Sequence, residues 1–92
     1  MAKARFELGK LVATPGALDA FARTGEMPLP FLARHSNRDW GELDEEDKIE
    51  NDCSVEHGFR IFSAYRLADG TRIWIITEAD RSATTILLPE EY

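Results

Sequence analysis

The chain has 92 residues, 43% of them hydrophobic and 30% charged, with 17 acids against 11 bases and a formal net charge of −6. A single domain, 1–92, is expected: this length leaves no room for two cores, and such a chain buries roughly two-thirds of its unfolded surface. One cysteine, Cys53, excludes an internal disulfide, and no apolar run approaches the roughly 18 residues that span a membrane, so a cytoplasmic protein without membrane contact is expected.

Arg5 to Ala13 (RFELGKLVA) alternates loosely and predicts a short strand, with Gly9 as a bulge. Thr14 can cap the helix that follows, and Pro15 suits its first turn, where the missing N–H is not needed. Ala17, Leu18, Phe21 and Ala22 form the apolar stripe of that helix, and Gly25 stops it after about ten residues. The two prolines of Met27–Pro30 hold off the next helix until Phe31–His35, which ends in the polar loop Ser36–Asp39. Trp40 is expected to fold back onto this helix pair. Asp44 is a good N-cap for an acidic helix, with Ile49 and Cys53 as a thin apolar seam and His57–Gly58 as its close. Arg60–Leu67, an Asp69–Gly70 turn and Thr71–Thr77 read as a hairpin, and Ala83–Leu88 as a third strand ended by Pro89. The expected architecture is α+β in two layers: an N-terminal strand, two to three helices, then a three-stranded antiparallel meander.

The charge is concentrated. Glu42 to Asp52 (ELDEEDKIEND) holds seven acids and one lysine, net −6, and the rest of the chain holds ten acids and ten bases. Scattered bases on an acidic chain argue against direct nucleic-acid binding, which needs clustered Lys and Arg to release counterions. Glu45, Glu46 and Asp47 lie in the first turn, where the helix dipole favours them, but Glu50 and Asp52 lie beyond its reach. The set Glu42, Asp44, Glu45, Glu46, Asp47, Glu50 and Asp52 is therefore the leading candidate for a partner-binding surface, set to meet a basic surface with strong salt dependence. The competing reading is a solvated helix face with capping acids.

A second candidate is the turn containing Glu78, Asp80, Arg81 and Ser82, where two carboxylates beside a guanidinium and hydroxyls are the materials of acid–base chemistry. A turn whose Asp and Ser hydrogen-bond the backbone uses the same residues. His35 with Arg34, Asp39 and Trp40 is a third cluster, a titratable ring beside an indole. Its plainer reading is a histidine that meets the last helix carbonyls and a tryptophan in the core. No metal or cofactor is expected. Cys53, His35 and His57 lack zinc spacing, although Cys53 and His57 stand four apart, and the acidic run lacks the central glycine and terminal glutamate of a calcium loop. Gly9, Gly16 and Gly25 make no phosphate loop. Cys53 is a poor nucleophile among acids, because a thiolate needs positive surroundings.

Leu8-Gly9, Val12–Leu18 (VATPGAL), Phe31–His35 (FLARH), Asp39–Leu43 (DWGEL), Ser63–Leu67 (SAYRL) and Trp74–Tyr92 (WIITEADRSATTILLPEEY) together cover nearly the whole chain. On these phrases the chain resembles a family of small uncharacterised proteins of bacterial plasmids and integrative elements, some of them labelled plasmid-related or restriction-associated. The resemblance supplies no catalytic residues and implies a mobile-element passenger in the bacterial cytoplasm. Small acidic proteins of such elements often block host machinery that holds DNA or RNA. The expected function is thus a non-catalytic binding protein that inhibits or modulates a host nucleic-acid-handling system, of restriction or CRISPR type. Its acidic helix would occupy the basic surface of a host nucleic-acid-binding protein. Reversing Glu46, Glu50 and Asp52 to lysine is expected to abolish that binding and leave the fold intact. One alternative is a small accessory subunit or homodimer, joined through a sheet edge or through exposed aromatics around Trp74 and Tyr65. The other is a hydrolase-like enzyme at the Glu78–Ser82 turn.

Overall fold

The computed structural model describes residues 6–92. β1 (Lys10–Ala13) leads through Thr14 into α1 (Pro15–Thr24), where the Thr14 hydroxyl accepts from the Ala17 N–H at 3.2 Å and Gly25, at φ 73°, ends the helix. The predicted strand is thereby shortened at its start. Its first residue, Arg5, lies outside the described residues, and Gly9 precedes the strand at φ 65°, where a Cβ would collide with the Arg81 carbonyl. α1 buries Ala17, Ala20 and Phe21, an i, i+3, i+4 set, whereas Leu18 turns away from the core and is 55% exposed.

α2 (Pro28–Ser36) begins before its second proline rather than after it. Pro28 and Pro30 fall at the first and third helical positions, whose N–H groups have no intrahelical acceptor, so neither ring removes a bond. α3 (Glu45–His57) opens on Asp44, which accepts from the Asp47 N–H at 2.9 Å, and closes on Gly58 at φ 74°. Its buried residues are Asn51 and Ser54. The expected seam is wrong: Ile49 is 68% exposed and Cys53 is exposed.

β2 (Ile61–Arg66), β3 (Arg72–Thr77) and β4 (Ala83–Leu87) form the antiparallel meander, and β1 joins β4 in parallel. The result is one mixed four-stranded sheet in the order β1-β4-β3-β2, rather than a three-stranded one. Register sorts the side chains by face. Tyr65 opposite Ile73, and Ile75 opposite Ile86, meet Ala17, Ala20, Phe21 and Leu32 to make the core. The fold is α+β in two layers.

Trp40 is buried, its ring centroid 5.8 Å from that of His35 on α2. Tyr65 is buried too, with 1% exposed, and its hydroxyl donates to the Asp39 carbonyl at 2.6 Å, so it is not available as an exposed interface aromatic. Phe62, Trp74, Ile76 and Leu87 point to the opposite face, away from α1 and α2, with a short 3-10 turn (Pro89–Glu91) and Tyr92 against it.

The outer edge of β2 is closed by hydrogen bonds rather than by another strand. The Asn51 amide accepts from the Phe62 N–H at 3.1 Å and donates to the Phe62 carbonyl. The Glu42 N–H donates to the Ala64 carbonyl at 2.7 Å, and the Ala64 N–H donates to the Trp40 carbonyl at 3.3 Å. Gly41 permits this approach, because a Cβ there would collide with the Ala64 carbonyl. Among the described residues no helix is long and apolar enough to cross a membrane.

Candidate functional site

The seven acids of the charged segment divide by what they touch. Glu42 meets Arg66 at 3.4 Å, Asp44 caps α3, and Glu45 meets Lys48 at 3.7 Å. Asp52 is half-buried and accepts from Arg38 Nη2 at 3.0 Å, Arg38 Nε at 3.2 Å and the Trp40 indole N–H at 3.2 Å. Arg38 is held in turn at φ 65°, with its guanidinium also 3.6 Å from Glu56. Reversing Asp52 would therefore set a cation against a mostly buried guanidinium, and the expectation that the fold tolerates this change is corrected. Glu46, Asp47 and Glu50 are exposed and form no ion pair among the described residues. Glu46 and Asp47 stand four and three residues before Glu50, so the three carboxylates share one side of the helix.

His35 and its neighbours are separated by the end of α2. Arg34 and Asp39 face outward and pair at 2.7 Å, with the Arg34 guanidinium 4.6 Å from the centre of the Tyr65 ring. The Asp39 carboxyl is held below its usual range chiefly by that hydrogen bond from Arg34. His35 points inward and is fully buried, with Phe6 and Trp40 rings against it at 5.3 and 5.8 Å. Its Nδ1 bonds the Ser63 hydroxyl and its Nε2 lies 2.9 Å from Thr77 Oγ1, which lies 2.7 Å from Thr84 Oγ1. Thr84 donates to the Leu8 carbonyl at 2.7 Å.

The end of that chain fixes every proton in it. A carbonyl only accepts, so the Thr84 proton goes to Leu8, Thr77 donates to Thr84, and His35 Nε2 carries the proton given to Thr77. Nδ1 is then the acceptor and Ser63 the donor. A serine hydroxyl donating to an imidazole is also the arrangement of an activated nucleophile. Here Ser63, His35, Thr77 and Thr84 are each 0% exposed, so no substrate reaches them. The network ties three strands to α2, and burial pushes the His35 ring down to about 3, so it is neutral at physiological pH.

Glu78, Asp80, Arg81 and Ser82 come together on the β3–β4 turn, and each has a partner within the chain. Glu78 lies 3.6 Å from Arg60. Asp80 accepts from the Ser82 N–H at 3.0 Å, and the Ser82 side chain first, with that turn bond second, holds its carboxyl below the usual range. Arg81, at φ 62°, donates to four backbone carbonyls: Phe59 at 2.7 Å, Ser54 and Ala79 at 3.0 Å, and Glu78 at 3.1 Å. The guanidinium is thus a clamp between the end of α3 and the turn. On α3 the Cys53 sulfur lies 3.4 Å from His57 Nδ1. Among the described residues no three His, Cys, Asp or Glu side chains converge as metal ligands would.

Two functional features escape a reading of the sequence. One is the Ser63–His35–Thr77–Thr84 chain, whose three hydroxyl residues are unremarkable strand positions until register aligns them with His35 of α2. The other is the apolar second face of the sheet. Its signal is in β3, where Arg72–Thr77 (RIWIIT) is apolar on both alternations, although helices cover only one side of the fold. Comparison of the chain with protein-family models, with curated proteins and with solved structures returned no match.

Proposed function

We propose that this chain is a non-catalytic binding protein whose acidic helix docks on the basic surface of a protein that ordinarily holds nucleic acid, and thereby inhibits or modulates it. The observation that carries this reading is the division of the acids. Glu42, Asp44, Glu45 and Asp52 serve the fold, whereas Glu46, Asp47 and Glu50 stand unneutralised on one side of α3. Like charges that close repel, and no ion pair among the described residues offsets them. Carboxylates spaced along a rigid helix oppose lysines and arginines spaced for phosphates, which gives fast, salt-sensitive association. The resemblance to plasmid and integrative-element proteins points to restriction or CRISPR machinery as the setting.

The test uses wild type and E46K/D47K/E50K as baits in host lysate at low and high salt, with duplex DNA or RNA as competitor. A nucleic-acid-binding protein retained by wild type, lost from the variant, and released by both salt and competitor is the expected result. Equal retention by both baits, or indifference to the competitor, rejects the reading.

A homodimer is a second reading, favoured by β1, where Leu11 is 53% and Val12 40% exposed beside an outer edge that no described strand pairs. It predicts association that rises with protein concentration and ignores salt.

A further inference from the structure

The sheet face turned away from α1 and α2 carries a groove of about 320 Å³ lined by Arg60, Phe62, Trp74, Ile76 and Tyr92. Phe62 and Trp74 meet edge to face at 4.9 Å, and Trp74 and Tyr92 at 5.7 Å, so three rings stand at steep angles around an apolar floor. Tyr92 is 73% exposed, and Trp74 and Phe62 are only half-buried. A second groove, of about 270 Å³, shares Arg60 and Phe62 with the first and continues to Leu43, Asp47 and Glu50 of the acidic segment. The two grooves, one aromatic and one acidic, thus adjoin at Arg60 and Phe62.

We propose that these adjoining grooves dock a cationic amphipathic helix of a partner protein, with an apolar side chain on Phe62, Trp74 and Tyr92 and its Lys or Arg side chains against Asp47 and Glu50. The proposal rests on the binding role assigned above to α3 and names the chemistry of what binds there. Charge selects the guest. Arg60 is neutralised by Glu78 at 3.6 Å and tied to the Tyr92 hydroxyl at 3.0 Å, so it does not repel a cation. Arg66 and Arg72 lie at the far, hairpin end of the same face, which turns the basic part of the guest toward α3. A second copy of this chain, at net −6, would bring further acids to an acidic rim. Helical form follows from the closed edge. An extended peptide would need the free main-chain groups of β2, but those of Phe62 and Ala64 are taken by Asn51, Trp40 and Glu42. A helix satisfies its own backbone and needs only a groove.

The probes are synthetic 16-residue peptides of Leu, Lys and Ala: one with its leucines at helical spacing, one scrambled, and one with Glu in place of Lys. Binding is read from the two indole N–H signals in ¹H–¹⁵N NMR spectra and from fluorescence titrations. Trp40 serves as an internal control, because its indole is buried on Asp52. The patterned basic peptide is expected to shift the Trp74 indole and leave Trp40 in place, binding at least roughly tenfold tighter than the other two. W74T is expected to lose roughly tenfold while keeping its salt dependence, and D47K/E50K to lose both affinity and salt dependence. Equal binding of patterned and scrambled peptides, with shifts confined to α3, overturns the groove and leaves the acidic-face reading standing. A Trp74 shift that depends only on protein concentration assigns the groove to a second copy and also overturns the proposal. Patterned-peptide binding that D47K/E50K leaves unchanged overturns the cationic part and counts against the acidic-face reading as well.

Discussion

His35 shows how a single buried ring can set the acid limit of this fold. Unfolded, a histidine takes its proton near pH 6.5, whereas in the folded chain burial holds the ring neutral down to about pH 3. Between those values the unfolded state binds the extra proton, so stability falls as pH drops, by about 1 kcal/mol per pH unit from this group. The bonding pattern gives the same direction. A doubly protonated ring has no acceptor for the Ser63 hydroxyl, so protonation costs the Ser63 bond, while the chain from Nε2 to Leu8 keeps its direction. Denaturant unfolding of wild type and H35Q at pH 7, 5.5 and 4 isolates the effect, because the carboxylates titrate in both proteins. The wild type should lead at pH 7, and its lead should narrow by about 1 kcal/mol per unit. A constant lead would mean that the ring titrates in the native state as it does in the unfolded chain. Long-range ¹H–¹⁵N spectra provide a separate check and should place the proton on Nε2. The sequence marks His35 as a helix-end residue, but it does not show that the ring faces inward, because that depends on where Ser63 and Thr77 fall across two other strands.

At the level of elements, α3 departs most from what its sequence suggests, since it packs through Asn51 and Ser54 while Ile49 stays in water. A helix laid on a sheet face needs an apolar stripe, but one laid on a sheet edge needs hydrogen bonds, and an amide side chain matches a strand's N–H and C=O together. N51D tests this at nearly constant size. The Phe62 N–H keeps its acceptor, but the Phe62 carbonyl then faces a carboxylate oxygen, and the loss should be about 2–4 kcal/mol. N51L should cost a similar amount by leaving both main-chain groups unpaired. A loss below about 1 kcal/mol in both, measured by urea denaturation, would show that the edge is held by Trp40–Glu42 alone. R81K should cost about 2–3 kcal/mol, because an ammonium cannot span the four carbonyls that the guanidinium bridges. The start and stop of α1 and α3 were legible because capping is local: Thr14, Gly25, Asp44 and Gly58 act within a few residues of themselves. The hairpin was legible for the same reason. The parallel docking of β1 on β4 and the polar seat of α3 were not, because both are decided by partners dozens of residues away.

For the molecule as a whole, stability and binding place opposite demands on the same three carboxylates. Glu46 and Glu50 repel one another along α3, an unfavourable pairing of about 0.2–0.5 kcal/mol in an isolated helix, and Asp47 adds to the same field. A chain selected for stability alone would carry a lysine at one of these positions. E50K should therefore raise the melting temperature slightly at low salt, and the gain should shrink as added salt screens the repulsion in wild type. The same substitution should weaken partner binding, most strongly at low salt. Thermal unfolding and binding measured on one preparation, across about 20–300 mM salt, put the two effects side by side, since the Debye length falls from tens of ångströms to below ten over that span. If E50K instead lowers stability, Glu50 has a structural duty like that of Asp52, and the case for a surface held open for a basic partner fails at its first residue. A more stable variant that no longer binds would mean that the net charge of −6 is maintained against the interest of the fold. A surface kept in that condition is one that answers to another molecule.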